Sequence, residues 1–535
     1  MRRALLLTLA LFLLLPLGSS PAFAHGLGQS YDLPLPLWLY LFGAGAAVLA
    51  SFVPISLFAD GRGTGKDALY RYPRFNLLRI GFLRTLLTGR ALLLGLRALS
   101  VGLFFLVVLT GLFGVQNSDS NFAPTFVWII WWVGLSFFTA FVGNVWSLVN
   151  PWKILFEWSE ALVRRFGIRD TLELGEPYPA SWGVWPAVAL YTIFIWVENV
   201  FSGSSSPVNI AVLTLSYSVL TWGGMIVYGK DAWLRRGEVF SVFFGLLARF
   251  SPTEVRVRDP KLCRDCSDTC GIAEKECVNC YECFARAAPA DRELNLRLPA
   301  VGLGRFEPVS PGGMFFVLLV LAGVAFDGLQ ETPPWNELRR ATFMSQTLGL
   351  VLLPLVFLVV YLSFVKLSQL FGGKTRRLRL ASLAEAYIYS LVPIAIAYQV
   401  AHYYTLLLVQ GQGIIRHLSD PFGWGWNLLG TADYSINPGI VGAAFVWYSQ
   451  VSLIVAGHVV AVYLAHLVAL RLFEDPGQAL WSQLPMLALM VLYTIFSLWI
   501  ISQPIIIEDQ PVAAKNVSQP APTENLREPP MPDRP

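Results

Sequence analysis

Outside residues 263–283 the sequence has no cysteine: all six lie in that stretch, Cys263, Cys266, Cys270, Cys277, Cys280 and Cys283. A fold stapled by disulfides along its length is therefore excluded. Charge is scarce as well. Only 14% of the 535 residues are charged and 55% are hydrophobic, which excludes an ordinary soluble globular protein. The net charge is just +4 and the basic residues sit in particular loops, so no nucleic-acid-binding stripe exists and no DNA or RNA partner is implied. Histidine occurs five times. There is no G-x-S-x-G elbow, no H-x-H pair and no P-loop, so serine-hydrolase and ATPase chemistry have no motif to rest on.

What is present is apolar sequence in long runs. Arg2 and Arg3 precede the run Ala4 to Leu17, and Ala22-Phe23-Ala24 is a small-x-small cleavage site, so residues 1–24 read as a signal peptide that leaves His25 at the mature N-terminus. About ten later runs are long enough to cross a bilayer. They lie near 36–58, 92–114, 125–148, 183–202, 208–228, 312–330, 346–369, 384–409, 441–470 and 484–504. The expected fold is all-α, a polytopic membrane helical bundle. Residues 25–228 form a first membrane half, 229–311 a cytoplasmic Cys-rich loop, 312–504 a second membrane half, and 505–535 a disordered outer tail rich in Pro, Glu and Asn.

Lys and Arg stay on the cytoplasmic side. The first loop carries Arg62, Lys66, Arg71, Arg74, Arg79, Arg84 and Arg90, whereas Gln116 to Ala123 carries no Lys or Arg. Lys374, Arg376, Arg377 and Arg379 continue the alternation. Both mature termini are then outside and the cysteine loop inside, across a bacterial inner membrane. Two connecting pieces look ordered. Pro151 to Arg165 reads as an interfacial helix with Ile154, Leu155, Trp158 and Leu162 on one stripe, and Val239 to Phe250 as a short re-entrant segment.

In a reducing compartment the cysteines favour a metal over disulfides. The C-x2-C units 263/266, 277/280 and 280/283 suit zinc or an iron–sulfur cluster. Cys277, Cys280, Cys283 and Pro289 match the start of a ferredoxin run, but Ala287 stands where its fourth cysteine belongs. A cluster would need a ligand from Cys263, Cys266 or Cys270, while zinc could take two from each half. A staple that orders the loop and does no chemistry fits the same residues.

Apart from His25, the histidines are His402, His417, His458 and His466, all in the last third. Tyr398, Gln399 and His402 share one helical face, and polar groups in hydrocarbon usually face a bundle interior and mark a site. His402 falls in the outer half. His458 and His466 are eight residues apart, about 12 Å along a helix, and do not suit one ion. His402 and His458 would suit one if their helices face each other, with Gln450 nearby, and a bis-histidine haem is the other geometric option. Glu198, Asp327, His417, Asp420 and Asp433 lie on the same side as His402 among Trp424 and Trp426. His25 offers an α-amine and an imidazole, a chelate that suits copper or another divalent metal.

The segments His25 to Tyr40, Tyr398 to Gln412 and Cys277 to Cys283 resemble a family of bacterial polytopic membrane proteins labelled fenitrothion hydrolase. The likeness spans nearly the whole chain after residue 24. It implies hydrolysis of organophosphorus triesters, small-molecule esters, at the membrane, and it admits a second membrane subunit. It carries no catalytic residue across. Such hydrolysis needs a polarised phosphoryl oxygen and an activated hydroxide, which a metal ion supplies. His402, Gln399 and Tyr398 are the catalytic candidates, and His25, His402 and His458 the candidate ligands beside the six cysteines. Two rival expectations stand. One is a metal or redox protein, handling copper through His25 and His402 or passing electrons from an iron–sulfur centre to a haem. The other is a transporter whose polar interior is the substrate path.

Overall fold

The computed structural model describes residues 33–58, 72–259, 261–262, 271–273, 276–304, 309–342, 345–373, 379–473 and 475–503. The expected signal peptide, His25, Cys263, Cys266, Cys270 and the tail lie outside the described residues.

In chain order the elements used below are helices α1 (Leu37–Phe58), α2 (Arg90–Phe113), α3 (Phe122–Phe141), α4 (Pro151–Arg165), α5 (Trp185–Asn199), α6 (Pro207–Tyr228), α7 (Val239–Leu247), α8 (Tyr281–Arg286), α9 (Pro311–Gln330), α10 (Gln346–Phe371), α11 (Val392–Val409), α12 (Ala443–Leu472) and α13 (Pro476–Ser502). The strands are β1 (Arg74–Asn76), β2 (Thr253–Val257), β3 (Gly271–Ala273), β4 (Glu276–Val278) and β5 (Arg292–Arg297).

Nine helices among the described residues are long and apolar enough to cross a membrane: α1, α2 with its lead-in from Gly81, α3, α6, α9, α10, α11 with its flanks, α12 and α13. In hydrocarbon a chain must satisfy its backbone internally, and a helix does so within one segment. Their start signals are in the sequence. Ser310 and Ser345 accept hydrogen bonds from Gly313 N and Leu348 N, and Asp475 accepts from Gly477 N and Gln478 N. Each side chain takes up backbone donors that the first helical turn leaves unpaired. Leu94, Leu99 and Phe105 of α2 and Val219 of α6 are exposed, as lipid-facing side chains are. The chain is a multi-pass membrane protein.

The fourth expected span, 183–202, is the 15-residue helix α5. At about 22 Å it is shorter than the roughly 20 residues a full crossing needs. Among the described residues, nine helices meet the requirement by length and composition. The central helix is α9, packed on α5, α10, α11 and α13. In α3, Thr125–Gly134 is π-helical, a wider coil that carries Trp128, Trp131 and Trp132. In α4 the buried face is Trp152, Ile154 and Phe156, while Trp158 and Leu162 are exposed. The expected re-entrant segment is α7, nine residues long and buried through Phe240, Phe243 and Phe244, with the Glu238 carboxylate accepting from Phe240 N and Ser241 N at its start.

An all-α fold holds for the membrane part, but a small five-stranded antiparallel sheet, ordered β1-β5-β2-β4-β3, carries the cysteine region. In β5 burial alternates with the polar residues Glu293, Asn295 and Arg297 inward, and in β2 Glu254 and Arg256 are buried along with Val255 and Val257. Arg297 Nη1 lies 2.6 Å from Glu254 Oε2 and Arg256 Nε 2.5 Å from Glu254 Oε1, and Tyr72 donates to Glu254. Val255 and Val257 in β2 and Leu294 and Leu296 in β5 do alternate with polar residues, but over runs of only five and six residues. Residues 229–311 are not self-contained either, because β1 is borrowed from the first loop through Arg74↔Arg297.

Candidate functional site

The bundle has a sheet end and a far end. Helix α9 begins just after the sheet, so Asp327 and Gln330 in its last turns reach the far end. Gln330 Nε2 donates to Asn199 Oδ1 at 3.0 Å, which places the C-terminus of α5 there too. At the other end of the bundle, Arg471 Nη1 donates to Gly304 O at 2.6 Å and fixes the C-terminus of α12 at the sheet end.

At the far end, six side chains from four helices meet. His402 Nε2 lies 2.8 Å from Asp327 Oδ2. The Tyr403 hydroxyl donates to the same oxygen at 2.6 Å and stands 3.3 Å from Glu198 Oε1. Trp132 Nε1, on the π-helical turn, donates to Glu198 Oε1 at 2.7 Å, and Gln330 Nε2 donates to Asp327 Oδ1 at 3.2 Å. Asp327 is an acceptor, so the tautomer that fits places a proton on His402 Nε2 and leaves Nδ1 as an acceptor. The His402 and Asp327 side chains are 24% and 21% exposed, which leaves the pair within reach of a solute.

Tyr398 lies one turn closer to the sheet end, its ring stacked on His402 with centroids 6.1 Å apart. The space for its hydroxyl exists because residue 328 is glycine. A Cβ there would stand 2.8 Å from Tyr398 Oη and 2.6 Å from Ile500 Cγ2. Gln399 is buried with no hydrogen-bond partner for Nε2 among the described residues. An oriented imidazole with an open acceptor nitrogen is what a general base requires.

His402 and His458 are on packed helices but at different depths. Gln450 Nε2 donates to Ala401 O at 2.9 Å, next to His402, whereas Gly457 meets α11 at Pro393 and Ala397. Gln450 and Gly457 are seven residues apart, a rise of about 10 Å. His458 Nδ1 is 2.8 Å from Ile454 O, and its ring faces Tyr493 at 5.9 Å. His466 Nδ1 is 2.8 Å from Gln483 Oε1. The loop residues are used locally. Asp420 accepts from Trp424 N at 3.0 Å and Gly425 N at 2.6 Å, and His417 is buried.

A second cluster lies at the sheet end. Cys277 is on β4, Asn279 turns the chain with φ 55°, Cys280 caps α8 and Cys283 sits on it. Asn279 N donates to Val255 O at 2.9 Å, which ties the turn to β2. The three sulfurs lie within 4.8 Å of one another, and among the described residues this is the one group of three His, Cys, Asp or Glu that close. The trio could hold a metal ion. Zinc bonds of about 2.3 Å draw tetrahedral thiolates to about 4 Å apart, whereas an iron–sulfur cluster distributes them over separate irons. Nearby, burial pushes the Glu282 carboxyl above the usual carboxylate range, with Lys153 pulling it back and Cys280 adding to the rise.

Of the candidates, Tyr398 and His402 fall together beside Asp327, while Gln399 is buried on the same helix with no hydrogen bond to the pair among the described residues. Tyr403, Trp132, Gln330 and Asn199 were not singled out by sequence. For Tyr403 the available signal was its place beside His402, and for Trp132 and Asn199 none existed, since their roles depend on which helices pack. No family model matches this sequence, and no curated protein or solved structure matches it.

Proposed function

We propose that this protein is a membrane hydrolase of lipophilic organophosphorus triesters, with the Asp327–His402 pair as its base. The observation that carries this reading is the 2.8 Å contact between His402 Nε2 and Asp327 Oδ2, which orients the ring and leaves Nδ1 for a water molecule. His402 takes a proton from water, the hydroxide forms a bond to phosphorus, the bond to the aryloxy group breaks, and the proton passes on to the departing phenolate. Tyr and Trp side chains around the pair supply an apolar setting for the aryl group. The charge pattern supports an outer location for this centre and a cytoplasmic one for the sheet.

The test is release of the phenol from an aryl dialkyl phosphotriester by the detergent-purified full chain. Turnover that disappears in His402→Ala, with the folded protein retained, supports the reading. A wild-type protein without turnover, or a fully active variant, overturns it.

The cysteine trio favours a metal as well. Its close spacing supports a single zinc ion that holds β4 and α8 together rather than a redox cluster. Zinc with no acid-labile sulfide in the purified protein is the expected analysis.

A further inference from the structure

The sheet end holds a polar cavity that neither the cysteine trio nor the Asp327–His402 pair uses. Its volume is about 410 Å³, and its walls come from α4, the end of α6, the short helix Lys230–Arg236 and α8. A volume of this order suits a small ligand or a headgroup. Four cations line it, Arg164, Lys230, Arg235 and Arg286, against three carboxylates, Glu160, Glu173 and Asp231. Every carboxylate is already engaged by the chain's own donors. Glu160 Oε1 accepts from Thr171 Oγ1 at 2.6 Å, Glu173 Oε1 accepts from Lys230 N at 2.9 Å, and Asp231 Oδ2 pairs with Arg286 Nη2 at 3.0 Å. Lys230 Nζ is held by Glu157 at 3.2 Å.

Two guanidiniums are left over. Arg164 Nε donates to a neutral carbonyl, Asp170 O, at 3.2 Å, and Arg235 Nε is buried with no partner. Neither arginine forms an ion pair among the described residues. A buried donor without an acceptor is rare and calls for a partner. The guanidinium fork matches carboxylate and phosphate oxygens. One fork is enough for a planar carboxylate. Two forks from two different helices suit an anion whose oxygens point in several directions, as those of a phosphate do.

We infer that Arg164 and Arg235 hold a phosphate-bearing anion in this cavity, with Arg286 at its rim. The same group has two sources, a lipid headgroup and a soluble phosphate compound. The turns of α4 that carry Glu160 and Arg164 also carry Trp158 and Leu162, both exposed, so a lipid surface would lie beside the mouth of the cavity.

Isothermal titration of the detergent-purified full chain tests this, with inorganic phosphate in one arm and short-chain phosphatidylglycerol in the other. The expected result is saturable binding in at least one arm, weakened about tenfold by Arg164→Gln and by Arg235→Gln, the loss of one charge-assisted partner. Arg379→Gln, at an exposed arginine outside the cavity, leaves it unchanged. Binding of inorganic phosphate shows that the phosphate group alone suffices and points to a soluble source; binding of phosphatidylglycerol alone makes the source a lipid headgroup. Because Arg164 is exposed, its variant decides the matter even where Arg235→Gln does not fold. No saturable binding in either arm, or binding that Arg164→Gln leaves unchanged, overturns the site. Phenol release is not part of the readout, so this proposal and the hydrolase reading fail separately.

Discussion

Asp327 and His402 are 75 residues apart in sequence and 2.8 Å apart at the far end of the bundle, one on the most enclosed helix and the other on its neighbour. A carboxylate in hydrocarbon is costly alone. Here Asp327 accepts from His402, Tyr403 and Gln330, so its charge is matched by three donors. The contact with His402 also fixes the orientation of the imidazole.

Asp327→Asn keeps the shape and removes the charge that selects the His402 tautomer. Loss of such an orienting partner costs about 10–100-fold in activity. The steady-state rate of phenol release from a triester should fall by that amount while the melting temperature in detergent changes little. A rate equal to wild type would show that the pair is structural.

Gly328→Ala should be destabilising beyond its small size. Its Cβ would meet Ile500 Cγ2 at 2.6 Å and Tyr398 Oη at 2.8 Å, and overpacking of this kind costs about 1–3 kcal/mol. Thermal unfolding in detergent measures it. An alanine variant as stable as wild type would mean that α13 moves aside freely.

The cysteine trio predicts a metal-dependent sheet end. Cys280→Ser, or a strong chelator, should release zinc and expose β4 and α8 to protease, because a structural zinc site contributes folding energy. The Asp327–His402 pair lies at the opposite end of the bundle and should retain its activity. Loss of activity in step with the zinc would join the two centres.

Glu254→Gln should weaken the sheet strongly. The carboxylate is buried between Arg256 and Arg297, and breaking a buried ion pair from one side costs about 3–5 kcal/mol. Hydrogen exchange at β2 and β5 is the measurement, with faster exchange expected there and none in α9.

The multi-pass helical architecture was legible because long apolar runs need no tertiary context. The candidate site was legible in part. His402 stood out as a histidine in an apolar helix, and Glu198 and Asp327 as acids at the ends of apolar runs, yet their pairing depended on α9 lying between α5 and α11. The apolar run at 183–202 gives only the 15-residue helix α5, because periodicity does not show how much of an apolar run is helical. The sheet was missed because Glu254, Arg256, Glu293 and Arg297 turn inward and satisfy one another, which reverses the usual pattern of a half-buried strand.

Phenol release from an aryl dialkyl phosphotriester by the purified full-length protein, wild type against His402→Ala, bears most directly on the reaction centre. The predicted result is turnover in the wild type and a loss of about 100-fold or more in the variant, the contribution of a positioned general base. Equal rates, or no turnover by a folded wild-type protein, would contradict it.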